Sequence, residues 1–103
     1  MSHPLAARIE QLRGLNQQQA FDQLGIELQR LPADLPADLP QDLAGEVEYL
    51  RGKLAVREGH IPIAIQQLSR AIGRSQAGFV SFALLGAALA RQQQWLDARR
   101  VLW

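Results

Sequence analysis

A chain of 103 residues that is 48% hydrophobic but only 6% aromatic can fill one small core, built from aliphatic and small side chains rather than rings. It has no cysteine, which excludes disulfides, thiolate metal sites and a cysteine nucleophile. The net charge of +1 hides a division, because residues 1–50 hold three Arg against eight Asp and Glu, a net of −5, whereas residues 51–103 carry +6. Such a division suggests attraction within the chain or a partner surface of one sign.

The opening MSHPLAARIEQL lacks the basic start and long apolar run of a secretory leader. No stretch reaches the roughly eighteen apolar residues of a membrane span. A cytoplasmic location without a membrane partner is therefore expected. Pro4 suits a helix first turn, with Ser2 or His3 as cap, and Leu5, Ile9 and Leu12 make an apolar stripe as far as Gly14. Asn16 is the expected cap of a second helix, whose inner face is Ala20, Phe21, Leu24, Leu28 and Leu31. Pro32 stops it.

The stretch LPADLPADLPQDL follows, from Leu31 to Leu43. Its three prolines disfavour helix in the residue before each and remove three backbone donors. Three readings are open: turns with Leu35 and Leu39 tucked against the helices, a flexible linker, or an acidic strand lying in a groove. The packed spacer is preferred. A third helix follows on Leu43, Val47, Leu50 and Leu54 and ends near Gly59, where EGHIP forms a turn with His60 as cap. Ile61, Ala64, Ile65, Leu68 and Ile72 mark a fourth helix. A fifth carries Phe79, Phe82, Leu85 and Leu89, and a sixth opens near Trp95 with Ala98 and Leu102. Sustained period-two alternation is absent, so the fold class is all-α.

One internal offset stands out. Gly52 meets Gly86, Arg57 meets Arg91, Ile61 meets Trp95, Ala64 meets Ala98 and Leu68 meets Leu102, each 34 residues apart. That period belongs to helix-turn-helix arrays. Small residues at Gly52 and Gly86 would let the two helices of a hairpin approach closely. On these residues the chain resembles the tetratricopeptide repeat family. The resemblance implies a right-handed solenoid of about three helix pairs: a degenerate hairpin over 4–31 with Arg8 in place of its small residue, an acidic Pro-rich insertion over 32–42, a repeat over 43–78 and a truncated repeat over 79–103. Glu48 and Arg51 depart from the family pattern, standing where an aromatic and a leucine are usual.

The resemblance also implies a concave groove lined by the first helix of each pair. Mapped onto this chain, its peptide-binding residues are Tyr49, Lys53, Val56 and Arg57, then Ala83, Ala87 and Arg91. They would suit a protein or peptide with apolar anchors and acidic flanks, its carboxylates meeting Arg57 and Arg91. The family's carboxylate clamp is not matched, because Leu50 and Leu84 occupy the positions where its polar residues are sought. His3 and His60 have no ligand-spaced neighbours, and the carboxylates Asp34, Asp38, Asp42, Glu46 and Glu48 do not converge on a cation. No catalytic residue, metal or cofactor is expected. Dispersed arginines without a recognition module disfavour nucleic acid. The reading is a binding adaptor of bacterial style rather than an enzyme; the alternatives are a repeat region recruiting substrate to a catalytic domain beyond residue 103, or a self-assembly module. The chain stops within its last expected repeat, which marks it as a fragment of a longer array or one whose C-terminal end pairs with a second copy.

Overall fold

The computed structural model describes the backbone of residues 3–74 and 78–101 and the side chains of 3–74 and 81–93. Every regular element among these residues is a helix: α1 (Ala6–Gln17), α2 (Phe21–Gln29), α3 (Gln41–Glu58), α4 (Ile61–Ile72) and α5 (Gly78–Val101). The all-α expectation holds. Phe79, Trp95, Ala98 and Leu102, all assigned roles above, have side chains outside the described residues, as does Ser2.

Two hairpins share one kind of turn. α1 runs through Gly14 and ends when Gln19 adopts a left-handed conformation (φ 57°), letting the Ala20 amide donate to the Leu15 carbonyl at 2.9 Å. α3 ends identically at Gly59 (φ 80°), with the His60 amide donating to the Ala55 carbonyl at 2.8 Å. Both close orphan carbonyls at a helix end. Asn16 therefore lies inside α1 and does not cap the second helix. His60 begins α4 through its backbone only, and its ring faces Glu58 at 3.5 Å.

Aligning these turns relates the first two hairpins by 40 residues, whereas setting Arg8 opposite Gly52 would need 44. Leu24, Leu28 and Leu31 then match Ala64, Leu68 and Ala71, all buried. Leu12 matches Gly52, so Arg8, which is exposed, is not the counterpart of the small residue. The first hairpin packs leucines where the second packs small residues. The second is consequently tighter: a Cβ at Gly52 would stand 2.6 Å from Leu68 Cγ. Gly25 differs, since a Cβ there would meet Leu54 Cδ1 at an ordinary 3.7 Å. Gly25→Ala should stabilise the fold by roughly 0.5–1 kcal/mol in a chemical melt, because it removes backbone entropy from the unfolded chain without a clash.

The Pro-rich stretch is a packed spacer. Leu31 and Leu39 are buried and Leu35 half-buried, all within the cluster formed by Ile9, Leu12, Leu24 and Val47. The Arg51 guanidinium donates to the carbonyls of Pro32 at 2.9 Å and Ala33 at 3.3 Å, and partial burial lowers its pKa from the ordinary value. His3 joins this seam: Nδ1 accepts the Leu5 amide at 3.1 Å, which leaves Nε2 as the donor to Asp38 at 3.2 Å. The other sequence departure, Glu48, is only 3% exposed and is met by Arg74 Nε at 2.7 Å.

The fifth and sixth helices expected from the sequence are one continuous helix, α5. RQQQW supplies helix formers with neither glycine nor proline, and the helix runs on through it. α5 buries Ser81 and Ala88 and half-buries Leu84 and Leu85. Phe82 and Leu89, expected inside, are 67% and 46% exposed. Nor does Gly86 mediate a helix contact, since a Cβ there would meet nothing within 4 Å. With no returning helix, that side of α5 has no partner within the described chain.

Packing joins α1 and α2 to α3, and α4 lies against both α3 and α5, with α3 touching α5 less extensively, while α2 and α4 make no close approach to each other. α3 and α5 run parallel, for Arg74 reaches Gln41 at the start of α3 (2.8 Å) and Arg91 reaches the Val56 carbonyl near its end (3.4 Å). Beyond that level α3 has two more residues and α5 has ten, so α5 overhangs by about eight residues, or roughly 12 Å.

Candidate interaction surface

The second half of α3 sets Tyr49, Lys53, Val56 and Arg57 at helical spacing on one strip. The four side chains do different things. Tyr49 is half-buried between the two hydrophobic clusters, and burial raises its phenol pKa. Val56 is buried and packs with Ala64, Leu68 and Ala88, so it supports the surface rather than forming it. Lys53 Nζ donates to Asn16 Oδ1 at 2.7 Å and lies 5.5 Å from the Phe21 ring centre. The Arg57 guanidinium sits over the same ring at 3.9 Å.

Phe21 is thus the platform on which both cations stand, an arrangement favoured by the negative face of the ring. A recess of about 340 Å³ opens beside it, lined by Gln19, Ala20, Asp22, Gln23 and Arg57. On α5, Ala83, Ala87 and Arg91 follow one another at four-residue steps, and all three are exposed. The Arg91 bond to the Val56 carbonyl draws this strip against the end of α3. The structure therefore brings Lys53, Arg57 and Arg91 to the same end of the molecule and leaves Tyr49 and Val56 largely beneath the surface.

A larger cleft of about 470 Å³ lies between α2 and α4 over α3, with Leu28, Leu54 and Ile63 among its apolar lining and Arg51, Glu58 and His60 among its polar groups. It arises because the spacer and its leucines hold α2 away from α4. Its sequence signal was the insertion between the hairpins, which sets back the second helix of one from that of the next. Among the described residues no three His, Asp or Glu side chains gather to hold a metal, and no helix is long and apolar enough to cross a membrane. Comparison with protein-family models, curated proteins and solved structures finds no match to this chain.

Proposed function

We propose that the chain is a protein-interaction module, a right-handed stack of helical hairpins resembling tetratricopeptide repeats, that holds an acidic segment of a partner protein across α3 and α5 in the cytoplasm. The state of the cations carries this reading. Arg13, Arg30 and Arg74 each pair with a carboxylate, at 2.6, 3.1 and 2.7 Å. Lys53, Arg57 and Arg91 instead rest on an amide oxygen, an aromatic ring and a backbone carbonyl. A carboxylate arriving there replaces neutral partners with charge-assisted hydrogen bonds, which are about twice as strong. Ala83 and Ala87 offer a low apolar floor beside Arg91 for the anchor residues of the same segment. The stacking of α1, α3 and α5, the left-handed turn at Gly59 and the Gly52–Leu68 approach support the repeat architecture.

Selection of displayed random peptides on the immobilised chain tests the proposal. Enriched sequences should combine Asp or Glu with Leu or Phe. The variant Lys53→Ala/Arg57→Ala/Arg91→Ala should keep its helical circular dichroism and bind them at least about tenfold more weakly, a change of about 1.4 kcal/mol. Enrichment of peptides without acidic residues, or unchanged affinity in the triple variant, would remove these cations from the site.

A further inference from the structure

Gly86 sits in the middle of α5, where glycine is less stable than alanine. Nothing among the described residues needs its small size, since a Cβ there would meet none of them within 4 Å. The same strip holds Phe82 and Leu89, both exposed, together with exposed Ala83 and Ala90. From Gly78 to Ala90 the helix has no charged residue. The opposite end of the molecule is finished differently, for α1 turns Arg8, Glu10, Gln11 and Arg13 to solvent.

We infer that this strip of α5 is the two-fold interface of a homodimer, with α5 of a second copy lying antiparallel across it and Gly86 at the axis. The sizes are self-complementary in that register. Phe82 of each copy meets Ala90 of the other, Leu89 meets Ala83, and glycine faces glycine where the helices come closest. Two-fold symmetry makes every such fit occur twice.

Charge selects the second copy and the antiparallel direction. The chain approaches α5 beside the first turn of α3, where Arg74 is taken up by Glu48 and Gln41, and that turn follows exposed Asp34 and Asp38 and contains exposed Asp42. At its other end the stretch 91–101 holds three Arg against one Asp, a net of +2, and overhangs its own α3. An antiparallel partner carries that basic overhang past the start of α5 to the acidic end of the other copy. A parallel partner would set the two basic ends side by side.

The strip is separate from Ala83, Ala87 and Arg91 except at Ala83, so a change at Leu89 tests it without touching the cations. Light scattering of the full chain in dilute salt should give about twice 11.4 kDa at tens of micromolar, moving toward 11.4 kDa in about 1 M salt as the charges are screened. Leu89→Arg should be monomeric with unchanged helical circular dichroism. Because the chain has no cysteine, Gly86→Cys introduces one thiol, and mild oxidation should convert most of it to a covalent dimer. A parent that stays at 11.4 kDa through millimolar concentration would overturn the proposal. So would a dimer that survives Leu89→Arg, or one in which Gly86→Cys fails to cross-link while Gln93→Cys does.

Discussion

Arg74→Met is expected to destabilise the protein by about 3 kcal/mol, at the low end for breaking a buried ion pair because Arg74 is itself partly exposed. The reason lies in Glu48. One of its carboxylate oxygens is met by Arg74 at 2.7 Å, and the other is buried without a hydrogen-bond partner among the described residues. Removing the guanidinium leaves that carboxylate inside the protein without its direct partner, with only the more distant charge of Arg51 to offset its lost hydration. For a domain of this size the melting temperature should fall by roughly 10–20 °C. The double variant Glu48→Leu/Arg74→Met should recover most of the loss, since well-packed apolar groups commonly replace a buried pair at little or no cost. A single variant that melts with the parent would show that Glu48 is held some other way.

Gly52→Ala should cost about 1–3 kcal/mol, although alanine is the better helix former. Its methyl group would overlap Leu68 Cγ, a branch point in a side chain with no exposure at all, so the overlap is not relieved by swinging a flexible end away. The α3–α4 hairpin would have to open. Gly52→Ala with Leu68→Ala should cost less than the sum of the two single changes, because truncating Leu68 vacates the contested space, and denaturant melts of the three variants measure that coupling. Equal stability of Gly52→Ala and the parent would mean the hairpin tolerates a wider separation than Leu68 implies.

The first four helices were legible because each has a periodic apolar face bounded by a proline or a turn. Pro32, Pro40 and Pro62 mark boundaries, and the leucines of the spacer fall at a spacing that can dock. Residues 95–102 look like residues 61–68, which suggested a sixth helix, but sequence likeness in a helix does not make the turn before it. RQQQW stays helical, although it carries the residue type, glutamine, that turns left-handed at Gln19. The Glu48–Arg74 pair had no local signature, since only the folded path of α4 brings position 74 back to the start of α3. At the candidate surface, Lys53 and Arg57 were readable as neighbours on one helix face. Their shared seat on Phe21 was not, because an aromatic residue on an inner helix face gives no sign that its ring is also a platform.

The separation of α2 from α4 has a mechanical consequence. α2 packs on α1 and α3, and α4 packs between α3 and α5, so the two second helices do not touch one another. Moving the first hairpin relative to α3 and α4 changes the width of the cleft over α3 while leaving the packing of α4 between α3 and α5 intact. The clasp from Arg51 to the carbonyls of Pro32 and Ala33 lies at the edge of that cleft and resists its widening.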